Sequence, residues 1–440
     1  MFSILKNLGG PNVREVDRRA ETSYVKKNNT PHTSISHINN TDQKSNIPNL
    51  AQRTIAANSS ELSTFSGDIL ISNQLDNNSL SPPLPPKPSI SSPIYKTPGY
   101  TSDRSGLLAR RKKTGVNQLK FNLQESNEKV RLDKKRDTFL DAVKNCLNTD
   151  KHNEKAIRLF NNLENYKYNN DNYQFVDRAI YSNLAYCKDT LIKVGDVVLP
   201  ANKVSVSNSP HMTIASQYPL NNKESLNNYF NMLFDKDIKK VYILASNDDI
   251  ENKLSKLNNK YNKGDFEKED FKYFREDLNL DDIKSSHIEK WNLSENKTNG
   301  SCLDCKIYTK LVTKEDSGEK KKIHFVHIYD WKDHTGIDAT KLKNTIDIVG
   351  RNLKINPTKE NIAVHCLAGL GRTGEFIALM EMMKAEQSGN KEGKSLESII
   401  TDLREKRSVH ALYQPEQIAE LVKFAIENNI PLLNDDIKMK

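Results

Sequence analysis

Apolar positions change character at about residue 125. Ahead of that point they are scattered among Asn, Ser, Thr and Pro, with few aromatics and no sustained period. Such a stretch buries too little apolar surface to offset its ordering entropy, so residues 1–125 are expected to be disordered. From 126 a helical period sets in: Phe139, Leu140, Val143 and Leu147, then Ile157, Leu159, Phe160 and Leu163. Short strands are expected at 197–199, just before Pro200, and at 213–215. A helix at 226–234 leads into an almost continuous apolar run, 241–245, which has the pattern of a buried strand. After a charged stretch at 248–284, residues 305–313 and 322–329 again have strand character. The last clear unit is a strand at 362–364, a loop containing Gly369 and Gly371, and a helix at 373–385 with Phe376, Ile377, Met380 and Met383. The alternation predicts an α/β fold with a mixed central β-sheet flanked by helices, occupying 126–440 as one domain behind the 1–125 region.

Composition agrees with that division. The chain has 440 residues, 36% of them hydrophobic, and its mean hydropathy of −0.71 is polar for a chain packed throughout. A net charge of +9 favours acidic partners only in a general way, and no nucleic-acid partner is expected from it. Five cysteines do not suggest a disulfide scaffold, and Cys302 and Cys305 form a lone C-x-x-C that is expected to be incidental. No run approaches the roughly 20 apolar residues of a membrane helix, so no stable membrane insertion is expected.

The candidate chemistry lies in 361–375, NIAVHCLAGLGRTGE. Strand, glycine-bearing loop and helix make an oxyanion cradle, because glycines let backbone N–H groups converge and the helix start adds positive potential. Cys366 opens this loop and Arg372 closes it, followed by Thr373. A guanidinium fork holds two phosphoryl oxygens, which a lysine cannot do. Amides, an arginine and a helix start also favour a cysteine's thiolate, the nucleophilic form.

His365, Cys366, Ala368, Gly369, Gly371, Arg372, Thr373 and Gly374 together resemble the signature loop of cysteine-dependent protein tyrosine phosphatases. The resemblance implies phosphotyrosine hydrolysis through a cysteinyl-phosphate. Cys366 would be the nucleophile, Arg372 the phosphate binder, His365 the residue orienting the cysteine, and Thr373 a hydroxyl easing breakdown of the intermediate. Leu367, Ala368, Gly369, Leu370 and Gly371 would line the phosphate. The absence of lysine at Leu367 and Leu370 favours a protein over a lipid substrate. Trp331-Lys332-Asp333 resembles the family's mobile Trp-Pro-Asp loop, making Asp333 the general acid, with Lys332 where proline is usual. Phe175 and Asp177 match the aromatic and acid that recognise the phosphotyrosine. Tyr413 occupies the place of the first of two expected glutamines, so water positioning falls to Gln417 or to a shifted Gln414. Glu289 is a candidate buttress for Arg372. No cofactor and no metal are implied.

Segments around 199–206, 214–246, 326–333 and 430–434 extend the resemblance to the type III-secreted bacterial effector phosphatases. It implies host phosphotyrosine proteins as substrates, a secretion chaperone on the N-terminal region, and delivery into host cytoplasm without a Sec signal peptide. The opening MFSILKNLGG lacks the layout of a cleaved signal. PPLPPKP at 82–88, from Pro82 to Pro88, suits either an SH3-domain partner or a stiff spacer. Tyr95 is a candidate docking site, and the basic run 110–113 is expected to be a solvated cluster. The rival reading is a phosphotyrosine-binding scaffold with impaired turnover.

Overall fold

In a computed structural model, residues 129–177, 179–205, 210–254, 271–356 and 358–437 are described. The expectations for 1–125, including Pro82–Pro88, Tyr95 and 110–113, lie outside these residues. The two helical periods at 126–165 form α1 (129–147) and α2 (Asn153–Asn165). Their apolar stripes meet where Phe139 stacks on Phe160, ring centroids 5.6 Å apart.

A small antiparallel pair follows, β1 (Tyr173–Phe175) with β2 (Ala185–Cys187). Then comes the main sheet. Its strands are β3 (Leu191–Val194), β4 (Val197–Lys203), β5 (Thr213–Ser216), β6 (Lys240–Ile243), β7 (Leu278–Asn279), β8 (Ile283–Leu293), β9 (Cys305–Lys314), β10 (Lys320–Ile328) and β11 (Ile362–His365). They lie in the order β3-β4-β5-β11-β6-β10-β9-β8-β7. β5, β11, β6 and β10 run parallel at the centre, and the flanking strands are antiparallel, so the sheet is mixed as expected.

Side-chain alternation along the central strands divides the core between the two faces. Val241, Ile243 and Ala363 pack with helix α3 (Lys223–Asp235) on one face. Tyr242, Leu244, Ile362 and Val364 face the other, with α4 (Ala339–Leu353), α5 (Gly371–Gln387), α6 (Leu396–Lys406) and α7 (Pro415–Glu427). A last turn, α8 (Asn434–Ile437), follows. Helix α5 is buried on nearly every side, from Arg372 through Ala385, as a helix passing through the middle of a core must be.

The structure adds elements that periodicity missed. Within the charged stretch 248–284 lie a π-helical turn (Asp249–Leu254), β7 and the start of β8. Strand β8 is largely solvent-exposed along KSSHIEKWN, so it carries no clean apolar alternation for a sequence reading to find. Strand β4 continues through Pro200 to Lys203 rather than stopping before it. Among the described residues, no helix is long and apolar enough to cross a membrane.

Candidate active site

Strand β11 ends at His365, and α5 begins at Gly371 with no side-chain cap at Leu370. The intervening loop therefore faces uncapped helix amides. Gly369 N–H donates to Cys366 Sγ at 3.2 Å. Gly369 has φ +70°, and a Cβ there would stand 2.1 Å from the Ser216 carbonyl oxygen, so only glycine fits. Cys366 itself is buried, 4% exposed.

His365 is fully buried, and burial pushes its imidazole down to about 4. A neutral ring has one donor and one acceptor. Nδ1 lies 3.0 Å from the Cys366 carbonyl, which only accepts, so Nδ1 carries the proton and Nε2 accepts from the Tyr273 hydroxyl at 2.6 Å. His365 thus fixes the backbone of Cys366. Tyr218 and Tyr229 pack edge-on against the ring at 5.2 and 6.0 Å.

Arg372 is 2% exposed and bound on several sides. Its Nη1 reaches the carbonyls of Leu244 (3.0 Å) and Trp331 (2.9 Å) and Asp249 Oδ2 (2.5 Å). Its Nη2 donates to Asp333 Oδ1 at 2.9 Å. The buttress proposed from sequence is therefore misplaced. Glu289 is exposed on β8, and Asp249, in the turn after β6, holds the guanidinium. Burial opposes ionisation of Asp249. The Arg372 charge, with hydrogen bonds from Lys253, Arg372 and the Ser246 amide, outweighs it and holds the carboxyl below the usual range. A sequence signal for Asp249 existed. Ser246 and Asp249 form the reciprocal S-x-x-D arrangement of a helix start, each side chain bonding the other's amide at 3.0 and 3.1 Å.

Asp333 sits between Arg372 and Lys253. Oδ1 meets Arg372, Oδ2 meets Lys253 Nζ at 3.0 Å, and His334 Nε2 is 3.4 Å from Oδ2. Lys332 is exposed, and local bonds give the loop its shape in place of proline. Thr335 Oγ1 donates to the Lys332 carbonyl at 2.8 Å, and buried Trp331 Nε1 donates to the Thr335 carbonyl at 3.0 Å.

The structure places Tyr413, Gln414 and Gln417 in two settings. Tyr413 Oη and Gln414 Nε2 both approach His334 Nδ1, at 3.0 and 2.8 Å. Gln417 is 1% exposed and donates to the Thr335 carbonyl at 3.3 Å. Its Oε1 is 3.0 Å from where a Cβ on Gly371 would stand. Gln417 Oε1, Thr373 Oγ1 and Arg372 Nε are buried with no hydrogen-bond partner among the described residues. All three border the Cys366 loop, and three unpaired polar atoms at one loop fit an oxyanion and a water.

Around the cradle, Arg407 Nε donates to the Gly369 carbonyl at 3.2 Å, and its guanidinium lies 4.3 Å over the Tyr186 ring. Arg404 binds the carbonyls of Ala411 and Leu412, each at 3.0 Å, fixing the turn before α7. Phe175 ends β1 and is 62% exposed, not in the core. Asp177 is exposed beside a groove of about 220 Å³ lined by 197–200 and the start of α3. Tyr181 was not singled out from sequence. Burial pushes its hydroxyl up, and the charges of Asp333, Cys366, Asp249 and Arg372 act on it. Tyr218 meets the loop directly, its amide donating to the Leu367 carbonyl at 3.0 Å. Cys302 and Cys305 are buried free thiols, and among the described residues no group of His, Cys, Asp and Glu is arranged to hold a metal.

The chain is also similar in sequence to known proteins. The family model for protein-tyrosine phosphatase matches residues 181–427, more than half of the chain. Tyrosine-protein phosphatase YopH of Yersinia enterocolitica is 25% identical over 269 residues, covering 58% of this chain and 51% of that protein. Secreted effector protein SptP of Salmonella paratyphi A is 23% identical over 253 residues, covering 56% and 41%. The chain spans about half the length of the curated relatives it matches. Among solved structures, the catalytic domain of human protein tyrosine phosphatase non-receptor type 18 aligns with a TM-score of 0.44 at 18% identity, over 57% of this chain and 84% of that one. With the signature loop between β11 and α5 and the family match over 181–427, the chain belongs to the protein-tyrosine phosphatase family.

Proposed function

We propose that the protein hydrolyses phosphotyrosine in proteins through a phosphorylated Cys366. The observation that carries this reading is the convergence of Cys366 and Arg372 on one loop with Asp333 bonded to that arginine from another. The thiolate of Cys366 attacks phosphorus, forming an S–P bond as the bond to the tyrosine oxygen breaks. Loop amides of Leu367 to Gly371 and the Arg372 fork hold the equatorial oxygens. Asp333 gives its proton to the departing phenolic oxygen. Water, oriented by Gln417, then breaks the S–P bond with Asp333 as base, and Thr373 donates toward the sulfur as it leaves. Charge on the phosphoryl group is met by arginine and amides, so the reading calls for no metal or cofactor.

The phosphotyrosine ring would rest against Tyr181, with Phe175 and Asp177 at the outer rim of the pocket. A deep aromatic pocket keeps shorter phosphoserine side chains from reaching Cys366. Similarity to a secreted effector supports a place of action in host cytoplasm, with host phosphotyrosine proteins as substrates and a chaperone or SH3 partner on the N-terminal region.

The test is hydrolysis of phosphotyrosine and phosphoserine peptides by wild type, Cys366→Ser and Asp333→Ala, with EDTA present. Tyrosine-only, chelator-resistant turnover that Cys366→Ser abolishes and Asp333→Ala reduces supports the reading. Tight peptide binding without turnover in wild type would overturn it in favour of a binding module.

A further inference from the structure

Glu375 is a buried acid that the chemistry above does not use. It lies on α5 three residues beyond Arg372 and is 1% exposed. Its Oε1 accepts the Ile337 amide at 3.0 Å. Ile337 belongs to the segment that returns from Asp333 to α4, whose N-cap is Asp338. We propose that Glu375 is a positioning residue for the acid loop. By holding the Ile337 amide it fastens the loop's C-terminal hinge to the helix that carries the phosphate cradle, so one rigid element sets both Arg372 and Asp333. The inference rests on the assignment of Asp333 as general acid.

Three observations support it. A carboxyl in the middle of a core helix is costly where leucine or methionine would pack, unless it satisfies a buried polar group. The group it satisfies is the hinge amide. Burial pushes the Glu375 carboxyl well above the usual range, and the Ile337 amide bond opposes that rise while the charge of Glu420 adds to it.

The hinge is also gripped from α7. A Cβ on Gly336 would stand 2.6 Å from the Glu416 carbonyl oxygen, so the backbones there are in close approach. The next acid along, Glu420, meets the Ala339 amide and accepts from Cys146 Sγ at 3.3 Å. A buried acid and a half-buried one thus flank the hinge, and Glu375 is the one on the cradle helix.

The test uses Glu375→Gln, Glu375→Leu and Asp333→Asn in the full chain. Two aryl phosphates are compared: phenyl phosphate, whose leaving oxygen needs a proton, and dinitrophenyl phosphate, whose leaving oxygen does not. Glu375→Gln keeps an accepting oxygen and should retain wild-type kcat/KM on both. Glu375→Leu should lower kcat/KM on phenyl phosphate about tenfold or more, leaving that on dinitrophenyl phosphate near wild type. Equal losses on both substrates, or a Gln variant as impaired as the Leu variant, would overturn the proposal. If Asp333→Asn itself shows no leaving-group dependence, the general-acid assignment has failed and the proposal falls with it. Should Glu375→Leu not fold, hydrogen exchange at the Ile337 amide of the wild type decides. Slow exchange supports the contact, and exchange at the rate of an open loop amide overturns it.

Discussion

Arg372 and Asp333, 39 residues apart in the chain, meet at 2.9 Å through Nη2 and Oδ1. That contact, with the bond from Arg372 Nη1 to the Trp331 carbonyl, makes the arginine the joint between cradle and acid loop. Under the proposed mechanism, a phosphoryl oxygen bound at Arg372 would compete with Asp333 for the same fork, so substrate arrival would free the acid.

Arg372→Lys should disable this joint. A lysine carries one point charge and cannot span Leu244, Trp331, Asp249 and Asp333 together. Steady-state kinetics on a phosphotyrosine peptide should show kcat/KM lower by about a hundredfold or more. Near-wild-type activity would mean that Arg372 is not the phosphate clamp.

Asp249 is expected to matter for both stability and rate. Asp249→Ala takes one carboxylate from the buried Arg372 and leaves Asp333 as the other, a loss of about 1.5–3 kcal/mol in denaturant unfolding. Its folded pKa is depressed, so its contribution is complete above the unfolded carboxylate value. That contribution is lost as pH falls through the lower folded one. Asp249→Asn should accordingly flatten the acid limb of the stability curve below about pH 4.

How far the sequence reached can be seen around this pair. Cys366, Arg372 and the strand and helix beside them are encoded in one contiguous stretch, so local pattern was enough. Asp333 stood out because Trp331 precedes it, and the fold brings it to Arg372. The Ser246–Asp249 pattern marks a helix start but not the partner it reaches, because Asp249 meets Arg372 across 123 residues, and the candidate chosen instead, Glu289, is exposed. Tyr181 and Glu375 were not singled out, because their neighbours come from distant parts of the chain rather than from a motif. Strand β8, exposed along most of its length, offered no period to detect.

Gln417 and Tyr413 should separate cleanly in kinetics. Gln417 Oε1 is buried beside Gly371, whereas Tyr413 is engaged with His334 in the acid loop. Gln417→Ala should leave the first phenol release intact but slow steady turnover about a hundredfold, seen as a burst. Tyr413→Phe removes one hydrogen bond and should cost less than about tenfold. A burst in Tyr413→Phe and none in Gln417→Ala would reverse the assignment.

Buried histidines set the pH response of folding. Burial pushes His324 and His365 down to about 4 and His327 to about 3. The unfolded chain binds protons at these sites from about pH 6.5 downward while the folded chain does not. Their contribution is therefore complete above that pH and is lost progressively toward pH 4. Urea midpoints should fall between pH 7 and pH 5, and His327→Gln, which retains a donor for the Ala245 carbonyl, should shrink that fall.

The most direct test of the account is where the phosphoryl group goes. Full-length Gln417→Ala should be mixed with a phosphotyrosine peptide, quenched in acid within one turnover, digested and weighed by mass spectrometry. The account predicts one added phosphoryl group on the peptide containing Cys366, absent in Cys366→Ser and chased off as wild-type turnover proceeds. Phosphate released at full rate with no modified Cys366, or a label on another residue, would contradict it.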